Sequence, residues 1–370
     1  MKILKLTFLC FLICSTAFSQ EWEPQAWPIL KSYDKDHLFQ IALPLGGIGT
    51  GTVSLGGRGE LRDWEIMNVP GKKYSTVTMG NNAPFFAIYT KSRNGKSSTA
   101  LLAGPLYPHE YLHYEGRPVN HHGLPRFEEA SFDAAYPFGQ VHLSDKAMPV
   151  KVTIKGFNPL VPGDEDASSL PIAILSYEVE NITDQSVEVA ICGSIRNFIG
   201  KDGSRFRTDW KGDYIPIGAK NNKNEYRRAK DLQGIYFYSD GVDQKDTAWG
   251  TMALVTQAVE GVTFRTSSKQ DSWNNGILNF WDDFSEDGVL VERDELEDQD
   301  PMASLAIKKL IQPHEKKHSL FSLLGISQIA KPGQIRLWGI IIVSYILMHG
   351  TQQKRLFLKF LIWKRKHFLL

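Results

Sequence analysis

The chain has 370 residues, of which 42% are hydrophobic and 11% aromatic, so its composition excludes an intrinsically disordered protein and permits one large domain or two. It contains 42 Lys and Arg residues against 41 Asp and Glu residues. The resulting formal charge of +1 indicates neither a nucleic-acid-binding protein nor a strongly acidic one.

The first 19 residues have the order of features found in a secretory signal peptide. Two lysines precede a short apolar run over residues 6–13, and Ala17 and Ser19 are small residues at the positions that a signal peptidase reads. The run is far shorter than the roughly 20 apolar residues of a bilayer span, which argues against an uncleaved anchor. We therefore expect cleavage after Ser19, a mature chain that begins at Gln20, and a periplasmic or extracellular location.

Removal of the signal peptide determines which cysteines remain in the mature chain. Cys10 and Cys14 leave with the signal peptide, so that Cys192 is the cysteine that remains. An intramolecular disulfide is then impossible, and the fold must rest on its hydrophobic core.

From Gln20 to about Leu310 the sequence consists of short alternating stretches separated by turn residues. Val150, Val152 and Ile154 alternate with polar neighbours, as expected for a strand with one buried face. No long segment has a clean helical period. Further stretches of the strand type occupy residues 172–179, 187–191, 235–238, 249–256 and 262–265.

This pattern predicts an all-β fold, a large two-sheet antiparallel β-sandwich that occupies residues 20–320. The apolar positions of its strands must face something apolar, which two facing sheets provide. The residues predicted to lie in or beside the core are Trp64, Phe157, Leu170, Ile172 and Leu175.

After Glu315 the composition changes abruptly. Ten of the 42 basic residues and none of the 41 acidic residues lie there, so the residues up to 315 carry a formal charge of −9. Apolar clusters at 340–343 and 357–362 have neither the length of a membrane span nor the alternation of a strand. Residues 321–370 are predicted to be a disordered or poorly packed basic tail, either a membrane-surface segment or sequence never selected to fold.

The glycine-rich segment Leu45–Gly51 has the composition of a phosphate-binding loop, because glycines let backbone amides approach an anion. A dinucleotide fingerprint requires a helix directly after it, whereas residues 52–57 have a strand-and-turn pattern and no Lys-Ser/Thr pair completes a P-loop. We expect these glycines to permit bends or close strand crossings, and no cofactor is predicted.

Acidic clusters offer nominal catalytic or metal sites. Glycosidic cleavage needs two carboxylates on opposite sides of the scissile bond, whereas adjacent residues of a loop or strand point apart. The clusters are therefore interpreted as solvated turns, with Ca²⁺ binding by the first as the alternative. They lie at residues 164–166, 282–283, 286–287 and 292–300.

Histidines and tryptophans give weaker indications of a zinc site and of a sugar-binding site. The histidines lack the Cys partners and the spacing of a zinc site; they are His109, His113, His121 and His122. Trp273 and Trp281 are candidates for stacking on sugars, with a place in the core as the alternative. No catalytic, cofactor-binding or metal-binding residue is assigned.

Several spaced segments together resemble the N-terminal domain of glycoside hydrolase family 116, the bile-acid β-glucosidases or non-lysosomal glucosylceramidases and their bacterial relatives. No one segment is decisive, but their order and spacing over about residues 28–315 are specific. The segments are Pro44–Gly49 with Gly59 and Trp64, Pro149-Val150, Phe157–Pro162, Asp166–Ala173, Glu180-Asn181, and Trp281–Phe284 before Asp287-Gly288.

The resemblance implies a large sandwich that packs on a C-terminal (α/α)6 barrel, and the barrel carries the Glu nucleophile and Asp acid/base of a retaining mechanism. Family members continue from the sandwich into Ser-Trp-His-Phe-Pro-Asn-Arg-Lys and later Asp-Ala-Trp-Asp. This chain has Gly-Ile-Ser-Gln-Ile-Ala-Lys at residues 325–331 instead. The departure puts the presence of the catalytic barrel in doubt.

The genetic code accounts for the departure. The codons TGG-CAT-TTC-CCA-AAT-CGC-AAA for Trp-His-Phe-Pro-Asn-Arg-Lys, read one base later, give Gly-Ile-Ser-Gln-Ile-Ala, which are residues 325–330. The codons GAT-GCA-TGG-GAC for Asp-Ala-Trp-Asp likewise give Met-His-Gly and the start of Thr, which are residues 348–351. We therefore expect out-of-frame translation that begins between about residues 312 and 325, and no catalytic barrel in this chain.

The resulting prediction is an exported N-terminal domain of a β-glucosidase or glucosylceramidase-like glycoside hydrolase. Its intact version would act on β-glucosides or glycolipids in carbohydrate metabolism, with the sandwich docked on its own barrel. This chain itself should be inactive. The alternative is an exported, non-catalytic carbohydrate-binding sandwich, and neither nucleic acid nor a membrane span is expected.

Overall fold

The computed structural model describes residues 29–336 apart from several short internal segments, and it describes side chains as far as Lys317. The predicted signal peptide and the sequence after residue 336 lie outside the described residues, and so does the predicted packing of most of the tail. The internal segments that are left out are residues 67–68, 72–76, 79–82, 112–118, 209, 211, 213, 230–231, 269–275, 293–297, 328 and 332–333.

The described elements are short strands, three helices and one 3-10 turn at Lys35–His37. The helices are α1 (Pro108–Tyr111), α2 (Glu165–Ser168) and α3 (Gly276–Asp287). The strands are β1 (Lys31–Tyr33), β2 (Ala42–Leu45), β3 (Thr52–Gly56), β4 (Leu61–Glu65), β5 (Phe85–Ser92), β6 (Ser97–Leu101), β7 (Glu129–Ala135), β8 (Phe138–Ser144), β9 (Val150–Phe157), β10 (Ile172–Asn181), β11 (Val187–Arg196), β12 (Phe206–Thr208), β13 (Tyr214–Pro216), β14 (Asn222–Arg228), β15 (Gln233–Ser239), β16 (Gly250–Thr256), β17 (Val262–Arg265), β18 (Met302–Ile311), β19 (Lys316–Ser327), β20 (Ile329–Lys331) and β21 (Gln334–Arg336).

Two large sheets account for most of these strands. The nine-stranded sheet has the order β1-β7-β8-β9-β10-β19-β16-β15-β14, and the five-stranded sheet has the order β17-β18-β11-β5-β6. Strands β2, β3 and β4 form a smaller sheet, while β12 with β13 and β20 with β21 form hairpins. The pairings within these sheets are antiparallel, which confirms the predicted all-β fold.

The main core lies between the two large sheets. On β9 the side chains of Val150, Val152 and Ile154 are at most 1% exposed, as the alternation predicted, while the residues between them point outward. On the facing sheet β11 and β18 contribute apolar residues to the same cluster. Phe86 and Tyr177 join the sheets, with ring centroids 5.4 Å apart.

Four of the five predicted core residues are buried, namely Trp64, Leu170, Ile172 and Leu175. The prediction for Phe157 was wrong, because strand alternation places this residue on the outer face of the nine-stranded sheet. There it is half-buried and its ring lies 6.2 Å from that of Phe138.

Helix α3 is the main departure from the predicted pattern. Phe280 and Phe284 follow one another at the helical spacing of four and pack on the outer face of the five-stranded sheet, against Phe85 and Tyr89. Both faces of this sheet are therefore covered, and nine of the ten residues of β11 are buried. The acidic residues between the two phenylalanines belong to this helix and do not form the solvated turns that the sequence suggested.

Strand β19 lies in the middle of the larger sheet, between β10 and β16, and continues to Ser327. It therefore extends past residue 320, where the sequence placed the end of the sandwich. Within the described part of the chain, no helix is both long and apolar enough to cross a bilayer.

Candidate docking surface

Three of the segments that carry the family resemblance meet at one edge of the sandwich. They are the glycine-rich loop after β2, the loop after β9, and the segment with α2 that leads into β10. The backbone N–H of Gly47 donates to Leu170 O at 2.9 Å, and that of Ile48 donates to Ser168 O at 2.7 Å. Segments more than 100 residues apart in the sequence thus form one structural unit.

Gly47 is the point of closest approach in this unit. A Cβ atom at this position would lie 2.5–2.6 Å from backbone atoms of Leu170 and Ser168, so no other residue fits without moving the two loops apart. Gly46 and Gly49 have φ values of +101° and +73°, which favour glycine. The glycines therefore serve close backbone contact and turning, as the sequence interpretation held, and the loop continues directly into strand β3.

Asn158 connects this unit to the β7–β8 hairpin. Its side-chain Nδ2 donates to Gly46 O at 2.9 Å, and its backbone N–H donates to Pro137 O at 2.9 Å. The residue is only 7% exposed, so both bonds are shielded from water. In the sequence, the signal for this role of Asn158 is a polar residue between a strand and a proline.

Helix α2 is held by its own polar residues. Asp164 caps it by accepting a hydrogen bond from Ala167 N at 2.9 Å. Ser168 Oγ bonds to the backbone N and O of Val161, at 2.9 and 3.0 Å. The first acidic cluster, proposed from sequence as a solvated turn or a Ca²⁺ site, thus contains a helix cap. No group of three or more metal-ligating side chains occurs in the part of the chain that the structure describes.

The unit presents large apolar side chains to solvent, and we name this set the apolar edge. Such side chains are normally scattered singly on a soluble protein, whereas an exposed group of them marks an interaction site. The loops of the apolar edge are joined by the hydrogen bonds described above. Its members, with the exposed fraction of each, are Ile48 (61%), Tyr136 (59%), Phe138 (45%), Leu160 (39%) and Val161 (39%).

Strand β19 leads to the same edge. Leu324 pairs with Ile172, the first residue of β10, which directly follows the α2 segment. The pairing of β19 with β10 therefore ends at residue 324, and this point lies beside the apolar edge. Any domain that follows β19 in sequence would start next to these exposed side chains.

The remaining acidic clusters serve the fold. Asp283 on α3 forms an ion pair with Arg265, with Oδ2 and Nη2 2.6 Å apart and the two side chains 8% and 0% exposed. Asp298 and Asp300 form ion pairs with Arg196, at 3.4 and 3.0 Å. Glu292 accepts hydrogen bonds from Thr266, and Asp282 and Glu286 are exposed on α3.

Among the described residues, the histidines considered as zinc ligands and the tryptophan considered for sugar stacking do not form one site. His109 stacks on Tyr107 and contacts Phe39, whereas His121 is buried and His122 is exposed. Trp281 is half-buried against the outer cluster under α3. His113 and Trp273 lie outside the described residues.

Comparison with known families identifies the fold unit. The family model described as "beta-glucosidase 2, glycosyl-hydrolase family 116 N-term" matches residues 42–324. The match begins at the first residue of β2 and ends within β19, at the residue paired with Ile172. It therefore covers the three converging loops, the five-stranded sheet, and the nine-stranded sheet apart from β1 and the last three residues of β19.

Proposed function

The chain belongs to glycoside hydrolase family 116, as its N-terminal domain, and from this premise we propose that it is the sandwich of a β-glucosidase or glucosylceramidase-like enzyme. The intact enzyme would act on β-glucosides, free or lipid-linked, in carbohydrate metabolism. In such an enzyme the two carboxylates of the retaining mechanism lie in the barrel that follows the sandwich.

The sandwich would dock on that barrel through the apolar edge. The observation that supports this surface is the position of Leu324, because a domain that followed β19 would begin near the exposed apolar side chains. Docking would remove the apolar edge from water, which stabilises the contact by about 25 cal/mol for each Å² of apolar surface buried.

The chain as translated would be inactive. Residues 325–330 and 348–351 match the family's sequence read one base out of frame, and the match to the family model ends at residue 324. Within the described residues, the acidic side chains that sequence reasoning considered for catalysis cap helices, form ion pairs with basic side chains or face solvent singly.

Activity measurements test this proposal. We expect the purified chain to show no hydrolysis of aryl β-glucosides, because the two carboxylates of the retaining mechanism would belong to the barrel and not to the sandwich. A frame-restored protein, corrected near residue 320 and extended through the barrel, should hydrolyse them. Turnover by the uncorrected chain that disappears on Asp282→Ala or Glu286→Ala would contradict the assignment.

The docking surface has its own test in the frame-restored protein. We expect Val161→Asp to lower its thermal unfolding midpoint and its activity, because placing a carboxylate in an apolar contact costs about 2 kcal/mol or more. Val259→Asp is the matched control. Val259 is 72% exposed, follows the last residue of β16 by three positions, and is not a member of the apolar edge. Equal effects of the two variants would exclude the apolar edge as the docking surface.

We also propose export with cleavage after Ser19, for which the order of charged start, apolar run and small residues is the support. N-terminal sequencing of protein recovered from the cell envelope should then begin at Gln20. Recovery from the cytosol of a chain that still begins at Met1 would contradict this expectation.

A further inference from the structure

A second set of exposed apolar side chains lies on the hairpin of β12 and β13, and we name this set the aromatic hairpin. Trp210, in the turn between the two strands, is 87% exposed, and Phe206 and Tyr214 are 55% and 52% exposed. The rings of Phe206 and Tyr214 contact each other edge to face, with centroids 4.6 Å apart. Ile217, directly after β13, completes the set and is 39% exposed. Large apolar side chains gathered in this way mark an interaction site.

The base of the aromatic hairpin is fixed to the body of the sandwich. A Cβ atom at Gly200, before β12, would lie 2.5 Å from the carbonyl oxygen of Gly218, after β13, so the two ends of the hairpin are in backbone contact. The backbone N–H of Gly200 donates to Ala248 O at 2.9 Å, which holds this crossing beside the start of β16. Arg205 Nη2 also lies 4.0 Å from Asp246 Oδ2. The exposed side chains therefore belong to an element with a defined position.

Strand β19 ends between the aromatic hairpin and the apolar edge. On one side its pairing with β10 ends at Leu324, beside the apolar edge. On the other side its last residue, Ser327, pairs with Gly250, the first residue of β16. Gly250 lies two residues after Ala248, the hydrogen-bond partner of the hairpin base. The two exposed apolar sets therefore lie on either side of the point where β19 ends.

The position of this point selects the partner. A domain that continues from β19 starts between the two sets, so it can contact both without a long linker. A lipid surface is the alternative for exposed aromatic side chains, and clusters of basic residues normally strengthen such binding. Residues 202–220 contain four basic and three acidic residues, so the hairpin has little net attraction for anionic lipid. Chain continuity thus favours a protein domain as the partner.

We propose that the aromatic hairpin is a second arm of the sandwich, which contacts the domain that follows β19 in the intact enzyme and buries Trp210 against it. The arm and the apolar edge hold that domain from two sides, so its orientation is fixed, whereas a single contact would let it rotate. This inference rests on the proposed function, because the family assignment supplies the domain that follows.

Hydroxyl-radical footprinting with mass spectrometry measures the exposure of single side chains and tests this contact. In the chain as translated, Trp210 should be oxidised rapidly, since it is 87% exposed. In the frame-restored protein we expect its oxidation to slow to the rate of Trp64, which is 1% exposed and serves as the internal standard. Val259, which is 72% exposed and belongs to neither set, is the control and should be oxidised equally in both proteins.

Equal oxidation of Trp210 in the two proteins would overturn the proposal. A variant gives a second measurement: Trp210→Ser should lower the thermal unfolding midpoint of the frame-restored protein and leave that of the translated chain unchanged, because substitutions at exposed positions have small effects. Shifts of the same size in both proteins would contradict the arm. Sedimentation of the translated chain with phosphatidylglycerol vesicles, if Trp210→Ser abolished it, would place a membrane on the hairpin and also overturn the proposal.

Failure of this inference and failure of the proposed function give different results. If the frame-restored protein hydrolyses aryl β-glucosides while Trp210 stays exposed, the proposed function stands and the second arm is wrong. If it protects Trp210 but hydrolyses no aryl β-glucoside, the contact stands and the catalytic assignment is wrong.

Discussion

Replacing Asp283 by Asn should lower the free energy of unfolding by about 3–5 kcal/mol, the cost of breaking a buried ion pair by removing one of its charges. Arg265 is fully buried and cannot lose its proton, so in the variant its guanidinium would face a neutral amide. Its hydrogen bonds to Val291 O and Asn279 Oδ1, both 3.1 Å, remain and compensate only in part. A folded domain is typically stable by about 5–15 kcal/mol, so the loss is large.

Chemical denaturation of the unaltered chain and the variant measures this difference. The control is Arg227→Gln, which breaks an ion pair with Glu225 whose side chains are 54% and 50% exposed. Exposed pairs contribute about 0–1 kcal/mol, so the control should be close to the unaltered chain. If Asp283→Asn and the control behave alike, the buried ion pair of Arg265 with Asp283 does not stabilise the fold.

The strands were predictable because their side chains alternate. Val150, Val152 and Ile154 face the core as the pattern required, and residues 172–179 and 187–191 became β10 and β11. Phe157 was predicted in or beside the core, but the same alternation puts it on the outer face. On that face it contacts Phe138, across a strand pair that the sequence does not reveal.

Helix α3 was missed for a different reason. Its apolar residues are few, and four acidic residues between Asp282 and Asp287 suggested a solvated turn. The spacing of four between Phe280 and Phe284 was a usable signal, but two positions are too few to establish a period. Burial of Asp283 could not be predicted at all, because its partner Arg265 is 18 residues away on β17.

The contacts that build the candidate docking surface could not be predicted from the sequence either. The glycines of the loop after β2 were correctly interpreted as points of close approach, but the contact of Gly47 with Leu170 joins segments 123 residues apart. The ion pair of Arg58 with Glu110 likewise joins a turn to a helix 52 residues later, and nothing in the sequence pairs the two residues.

Acid should destabilise this domain through His121, and the sign follows from the direction of its pKa shift. Burial lowers the pKa of the folded state from 6.5 to about 4, so between these values the unfolded chain binds a proton that the folded chain does not. The free energy of unfolding therefore falls as the pH falls from about 6.5 to 4. The lowered pKa of His121 contributes about 3 kcal/mol in total to this loss of stability, since one pKa unit corresponds to about 1.4 kcal/mol.

Denaturation of the unaltered chain and of His121→Asn at several pH values between 7 and 4 isolates this contribution. Burial raises the pKa of the Asp202 carboxyl group, but its hydrogen bonds to Ser204 and the nearby Arg205 together outweigh burial and lower it, so this group also weakens the fold in acid; it does so in both proteins. The variant should therefore lose less stability than the unaltered chain over this range, whatever its stability at pH 7. His122→Asn, at an exposed position, should retain the full slope. Parallel curves for the unaltered chain and His121→Asn would mean that the pKa of His121 is the same in the folded and the unfolded chain, so that burial does not disfavour its protonation.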